Sequence, residues 1–197
     1  MKNLYIFLLL VSSSLFSQTV TEINKIIGIP DSLNFNREIR IYKGFGITNG
    51  TEIFRFYKTN IKEWKAELYK YYHSTKSGEK PRFELKTLNS KSDSDFVWFS
   101  ALATNVEYLP NAESIQYKLK DKAKVVMENG ECVSVQTVTY IMDGTSYDFF
   151  VSSNEKQNYV YYANPEGYLK KYPDVDELQY VCELINIVKQ EFDIWKE

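Results

Sequence analysis

Residues 37–58 read REIRIYKGFGITNGTEIFRFYK, and this stretch decides the fold class of the chain. Apolar and polar side chains alternate over residues 37–43 and again over 51–58, which is the pattern of strands that turn one face to a core. The dipeptide Asn49-Gly50 lies between the two runs, and both of its residues tolerate the positive φ angles of a tight turn. The stretch therefore predicts an antiparallel hairpin with one buried face and one face in water.

Further alternating runs extend this hairpin into a meander. Residues 63–72, EWKAELYKYY, repeat the pattern, and residues 81–85 are a candidate fourth strand. Because alternate residues share a face, Ile39 and Ile41 are expected in the core and Arg40 in water.

A second group of strand-like runs follows residue 121. Asn129-Gly130 and Asp143-Gly144 mark tight turns within the group. Its runs are residues 122–127, 132–141, 146–151 and 158–162. The run 132–141 has the most β-branched content and predicts the best strand of the chain. The group predicts a second antiparallel meander, so the strands form one curved sheet or two.

A short helix is predicted between the two strand groups, from residue 94 to about 102. Asp93 or Ser94 is its candidate N-cap. The side chains expected on its buried face are Phe96, Phe99 and Leu102 or Ala103.

The clearest helix spans residues 174–192, with Asp174 as the N-cap and Glu177 completing a capping box. Its apolar stripe is formed by Leu178, Val181, Cys182, Ile185, Val188 and Phe192, and Leu184 and Ile187 widen it. The chain thus contains a group of strands followed by a helix, and then a second group of strands followed by a second helix. This order predicts an α+β fold, with antiparallel β-meanders, a short mid-chain helix and a long C-terminal helix packed on the sheet. We expect residues 18–197 to form a single α+β domain.

The first seventeen residues have the layout of a secretory signal peptide. Lys2 precedes the apolar run LYIFLLLV at 4–11, and Ser17 is the expected cleavage position. The run spans roughly 12 Å as a helix, against a bilayer core of about 30 Å. The pattern predicts export to the periplasm or the medium of a bacterium, with no stable membrane anchor after cleavage.

Composition excludes several classes of function. The 24 basic and 26 acidic residues leave no dense positive stripe for nucleic acid. The chain has one histidine, His73, and two cysteines fifty positions apart, so neither a zinc site nor a histidine-based nucleophile is expected. We predict no catalytic residue, no cofactor and no metal. One alternative stays open, a carboxylate pair drawn from Asp143, Asp148, Glu155 and Glu166.

Two further features bear on binding and stability. Residues 159–172, YVYYANPEGYLKKY, contain five tyrosines. If they face outward they form a binding surface for a sugar or a peptide, and if inward they pack the last helix. The candidate surface residues are Tyr159, Tyr161, Tyr162 and Tyr168. Cys132 and Cys182 either form a disulfide, which would stabilise by roughly 4 kcal/mol, or remain free with Cys182 in the core.

The chain also resembles small, uncharacterised secreted proteins of bacteria. The segments that carry the resemblance are residues 39–58, WKAELY at 64–69, TNVEYLPN at 104–111, DGTSYDFF at 143–150 and YANPEGYLKKYP at 162–173. The resemblance implies export and a compact α+β domain, and it implies no activity. The expected function is a non-catalytic binding or interaction protein with an unknown protein or glycan partner. The alternative is a small carboxylate-dependent hydrolase acting on envelope glycan or peptide.

Overall fold

The structure, a computed structural model, describes residues 14–45, 50–74, 78–141, 144–154 and 156–196. Its helices are α1 (Ser14–Ile27), α2 (Ser94–Ala103), α3 (Pro165–Lys171) and α4 (Asp176–Phe192), with a 3₁₀ helix over Ala112–Lys118. Its strands are β1 (Arg37–Phe45), β2 (Gly50–Lys58), β3 (Trp64–Tyr72), β4 (Arg82–Leu88), β5 (Lys124–Glu128), β6 (Glu131–Val135), β7 (Thr145–Ser153) and β8 (Lys156–Ala163).

Six strands form one antiparallel sheet in the order β4-β3-β2-β1-β7-β8. The predicted meander of β1, β2 and β3 is confirmed, and β4 extends it. Strand β1 is central because its other side pairs with β7, with Glu38 opposite Ser152. The predicted α+β fold class is therefore confirmed, with β7 and β8 of the second strand group joined to the first group in one large sheet.

The predicted long strand at 132–141 is wrong. Only Glu131–Val135 forms a strand there, and it pairs with β5 in a separate two-stranded hairpin. Asn129 and Gly130 both have positive φ angles, so the predicted turn at the tip of this hairpin is confirmed. Asn49 and Asp143, from the other two turn dipeptides, lie outside the described residues. High β-branched content did not bring the run into the main sheet, because strand content alone does not select a pairing partner.

One face of the sheet, which we call the helix face, packs against α2 and α4. The core there contains Ile39 and Ile41, as predicted, together with Phe54, which contacts Phe192 of α4 at 4.8 Å between ring centroids. Helix α4 begins at Asp176 rather than 174, and its N-cap is Val175, with no side-chain cap. The predicted stripe is buried as a whole, Leu184 is buried with it, and Ile187 is partly buried against the core.

Helix α2 has its predicted cap, but it buries a different face. The Asp93 carboxylate accepts the Phe96 N–H at 3.1 Å. The buried side chains are Val97, Trp98 and Ala101. Phe96 and Phe99 are exposed, so the predicted buried face is wrong for both of them, whereas Leu102 is partly buried against the core as predicted. Trp98 takes the core position and packs on Trp64 of β3, which turns Phe99 outward beneath the Arg37 guanidinium.

The opposite face of the sheet, which we call the α1 face, was expected in water, and over its central strands this prediction is wrong. Ile23 and Ile27 of α1 pack on Tyr42, Ile53 and Tyr69 in a second apolar cluster. Polar side chains beside this cluster are buried too, and Arg40 exposes only 1% of its surface. The sheet therefore carries helices on both faces.

Candidate functional site

The exposed part of the α1 face lies at the end of the sheet formed by β7 and β8. Tyr159 and Tyr161 stand on this face of β8, with 47% and 40% of their surfaces exposed. The Tyr159 ring packs on Phe150 of β7 at 4.5 Å between centroids, and Phe150 in turn meets the edge of the Tyr42 ring at 5.4 Å. Residues two apart on a strand are about 6.6 Å apart, so the two exposed rings stand side by side.

A carboxylate lies among these rings. Asp148 of β7 is opposite Tyr161 in the strand register and accepts the Tyr159 hydroxyl at 2.7 Å. Burial raises the pKa of Asp148 above its usual range, and the hydrogen bond from Tyr159 opposes that shift only in part. Burial, followed by the bond to Asp148, also raises the pKa of Tyr159. We call the set of Asp148, Phe150, Tyr159 and Tyr161 the tyrosine surface.

Strand β8 is an edge strand, yet residues 106–111 hold it in place by hydrogen bonds. The side-chain amide of Asn158 donates to the carbonyls of Val106 and Leu109 at 2.9 and 3.0 Å. The Asn111 side chain accepts the backbone N–H of Tyr161 at 2.9 Å. These bonds cover the outer side of β8 and fix the backbone that carries the tyrosine surface.

The other two tyrosines predicted for this surface lie elsewhere. Tyr162 is on the helix face, almost fully buried, and its hydroxyl donates to the Pro110 carbonyl at 2.7 Å. Tyr168 in α3 is half-buried, and its ring stacks with Tyr172. The structure therefore brings Tyr159 and Tyr161 together. Tyr162 is separated from them because adjacent residues of a strand point to opposite faces, and Tyr168 because it lies in α3 beyond the end of the strand.

A buried cluster of charges lies beneath the loop from α1 to β1. Glu38 is completely buried and accepts bonds from Arg40 at 2.7 Å and from Arg55 at 2.8 Å. Its second oxygen accepts the backbone N–H groups of Asn34 and Phe35 at 3.0 and 3.3 Å. We call Glu38, Arg40, Arg55 and Glu67 the buried ion cluster, since Arg55 also lies 3.8 Å from Glu67.

The buried ion cluster ties α1 and its loop to the sheet. Arg40 donates to the Pro30 carbonyl at 2.7 Å, and Tyr42 donates to the Asn24 side chain of α1 at 2.6 Å. Burial raises the pKa of Glu38, but the bonds from Arg55 and Arg40 outweigh it and hold the pKa below its ordinary value. Sequence analysis missed this cluster, because alternation identifies the shared face of Glu38 and Arg40 but not what covers it.

The two predicted carboxylates that the structure describes, Asp148 and Glu166, do not converge. Asp148 lies on the α1 face, whereas Glu166 lies on the helix-face side, where it accepts the Tyr147 hydroxyl at 3.1 Å. Asp143 and Glu155 lie outside the described residues. His73 packs edge to face on Tyr71 at 4.7 Å. Glu166 and Asp148 are therefore separated by the sheet itself.

The two cysteines are not bonded to each other, so the possible disulfide is absent. Cys132 is exposed on β6, where its thiol contacts the Met127 sulfur at 3.2 Å, and Cys182 is buried in α4. The alternative, a free thiol in the core, holds for Cys182. Burial raises the pKa of this thiol to about 12, which keeps it protonated and unreactive.

Within the described ranges, no three His, Cys, Asp or Glu side chains are grouped to hold a metal ion. None of the helices in that part of the chain is both long enough and apolar enough to cross a membrane. Comparisons of the chain with protein-family models, with curated proteins and with solved structures found no match. A functional proposal therefore has to come from the side chains of this molecule.

Proposed function

We propose that this protein is exported and acts in the cell envelope or outside the cell as a non-catalytic binding protein. We propose further that its ligand is a glycan, bound by the tyrosine surface. The observation that carries the proposal is the pair of exposed rings, Tyr159 and Tyr161, beside the carboxylate of Asp148 on one face of a fixed strand.

The chemistry of a sugar ring matches these groups. A sugar presents apolar C–H faces that rest on aromatic rings, and a rim of hydroxyls that need acceptors and donors. Tyr159 and Tyr161 supply the rings, and Asp148 supplies acceptor oxygens. The bonds from Asn158 and Asn111 hold β8 in place before the ligand arrives, which lowers the entropic cost of binding.

Export is supported by the N-terminal sequence and by the position of α1. Residues 1–13, most of the predicted signal peptide, lie outside the described residues. The described side chains of α1 that pack on the sheet, Val20, Ile23, Ile26 and Ile27, all follow Ser17. Cleavage after Ser17 thus leaves these four side chains in the mature chain.

A binding assay with immobilised envelope glycans and matched peptides tests the proposed function. Tyr159→Ala and Tyr161→Ala should each weaken glycan binding at least about tenfold, since each removes an aromatic contact. Tyr117→Ala is the matched control, because Tyr117 is an exposed tyrosine of the 3₁₀ helix, outside the tyrosine surface. Binding of peptides but not glycans, or equal affinity of all three variants, would contradict the proposal.

One observation favours the alternative, a hydrolase acting on envelope glycan or peptide. A carboxyl group with a raised pKa, such as Asp148, can hold the proton that a general acid needs. The other acidic side chains on this face of the described sheet are Glu38 and Glu67, which are held by arginines and tyrosines. Release of product from envelope material, lost in Asp148→Asn, would favour the hydrolase over the binding protein.

A further inference from the structure

The two edges of the six-stranded sheet differ in whether another segment of the chain contacts them. At β8, the Asn111 side chain accepts the backbone N–H of Tyr161, and the Asn158 side chain donates to residues 106 and 109, so residues 106–111 lie along this edge. At the other end, β4 pairs with β3 on one side, and no other described segment pairs with its free side. An open edge strand presents a row of unpaired N–H and C=O groups to any strand that approaches.

The open edge also exposes apolar side chains. Phe83 and Leu85 stand on the α1 face of β4, and both are exposed, with Phe83 6.3 Å from the Tyr69 ring. Every residue of β4 except Leu88 is exposed. A long, exposed edge with apolar side chains is the type of strand that other chains use for β-strand addition.

We propose that β4 pairs with β4 of a second copy of this chain, antiparallel and centred on Leu85, so that two sheets become one. In this register Leu85 lies opposite Leu85 of the second copy, and Phe83 lies opposite Thr87. Glu84 lies opposite Lys86, and the two-fold symmetry makes this contact twice. The proposal does not depend on the proposed glycan binding.

Charge selects this partner and this register. A register centred on Glu84 instead would set Glu84 against Glu84 and Arg82 against Lys86, and one centred on Lys86 would set two lysines together. Directly opposed like charges destabilise a pair of strands, and opposite charges stabilise it. No ion pair within the described residues involves Glu84 or Lys86. Lys70, which lies opposite Glu84 on β3, pairs with Glu52 instead. Both charges are thus available to a second copy.

Strand pairing through β4 leaves the tyrosine surfaces free. They lie at β8, the far edge of each sheet, so the joined sheet has twelve strands with one such surface near each end. At about 4.8 Å between neighbouring strands, the two surfaces are roughly 50 Å apart. Such a dimer is bivalent, which strengthens attachment to a repetitive ligand without new contacts.

Sedimentation equilibrium of the purified protein and four charge variants tests the pairing. The wild type should be dimeric, and Lys86→Glu and Glu84→Lys should each raise the dimer dissociation constant at least about tenfold, because each places like charges together twice. The double variant Glu84→Lys/Lys86→Glu restores the opposite charges and should return the constant to within about threefold of wild type. Lys124→Glu on the exposed strand β5 is the charge-matched control and should leave it unchanged.

Disulfide trapping tests the register without depending on the charge variants. In a Cys132→Ser background, Leu85→Cys should form a disulfide between two chains, because residues opposite each other have Cα atoms within bonding range. Thr87→Cys should not, since its symmetry mate is displaced by about 13 Å along the strand. A monomer at all concentrations, a dimer that ignores the charge changes, or cross-linking of both cysteine variants alike would overturn the proposal.

Discussion

At the scale of single residues, Glu38 is the position on which the α1 face depends. Its carboxylate joins Arg40 to Arg55, and it also binds two backbone N–H groups of the loop from α1. A buried charge is tolerated when it is paired, and removal of one partner leaves the others without compensation. The Nε of Arg40 already lacks a hydrogen-bond partner, so the cluster has no spare acceptor.

Replacing Glu38 should therefore be costly. Glu38→Gln keeps the shape but leaves two arginines buried without their anion, and it should lower the free energy of unfolding by about 3–5 kcal/mol at neutral pH. Chemical denaturation of both proteins measures the difference. Glu52→Gln is the control, because Glu52 pairs with a largely exposed lysine on the other face, and its loss should cost less than about 1 kcal/mol.

The difference in stability between wild type and Glu38→Gln should depend on pH in a defined direction. The folded-state pKa of Glu38 is lowered, so the stability contributed by its carboxylate is present above the unfolded pKa, near 4.5. It is lost as the pH falls through the folded pKa, where Glu38 becomes protonated and resembles glutamine. The stability difference between wild type and Glu38→Gln should shrink as the pH falls below 4.5, and a constant difference would contradict the assigned pairing.

At the scale of elements, α1 converts an ordinary one-sided sheet into one covered on both faces. Its contact with the sheet is made by Ile23, Ile27 and Asn24, of which Asn24 accepts the Tyr42 hydroxyl and donates to Asp31. The helix is amphipathic in the sequence, but its length and its docking site are tertiary properties. The sheet side chains of this apolar cluster are Tyr42, Ile53, Tyr69, Tyr71 and Phe150, four of them aromatic and three of them tyrosines, so strand alternation alone does not reveal a docking site.

Loss of one apolar contact of α1 should be measurable. Ile23→Ala removes a side chain that is almost fully buried against the sheet, and it should destabilise the protein by about 2–5 kcal/mol. Lys25→Ala, at an exposed position of the same helix, should change stability by less than about 0.5 kcal/mol. Equal effects of the two substitutions in thermal unfolding would mean that α1 does not pack on the sheet.

At the scale of the whole molecule, the two faces of the sheet differ in the side chains that they contain. The helix face holds the larger core, where α2 and α4 cover it, and the α1 face holds the buried ion cluster and the tyrosine surface. The proposed export is compatible with this arrangement, because the described packing residues of α1 follow the predicted cleavage position at Ser17. Cleavage there would remove the first four of the fourteen helix residues and leave residues 18–27.

Processing and stability give the whole-molecule prediction. Protein isolated from the exported fraction should begin at Gln18, as determined by intact mass and N-terminal sequencing. A chain that starts at Gln18 should unfold at the same temperature as the unprocessed protein, because every described packing contact of α1 is retained. A chain that starts at Ile29 lacks the helix and should unfold at a lower temperature. An uncut chain in the cytosol would refute the proposed export.

The sequence determined the first three strands, the long C-terminal helix and the start of α2, because the signals that specify these elements are local. Alternation over residues 37–58 and 63–72 fixed β1 to β3, the apolar stripe fixed α4, and Asp93 fixed the start of α2. Alternation also fixes which side chains share a face, so Tyr159 and Tyr161 were bound to be neighbours and Tyr162 to oppose them.

The tertiary structure decided what covers each face and which strands pair. Three contacts join residues that are distant in the chain: β1 pairs with β7, α1 docks on the sheet, and Arg55 donates a hydrogen bond to Glu38. The separation of β5 and β6 from the six-stranded sheet is likewise set by the tertiary structure. Contacts of this sort depend on competition among many surfaces for the same partner, and no short stretch of sequence contains that competition.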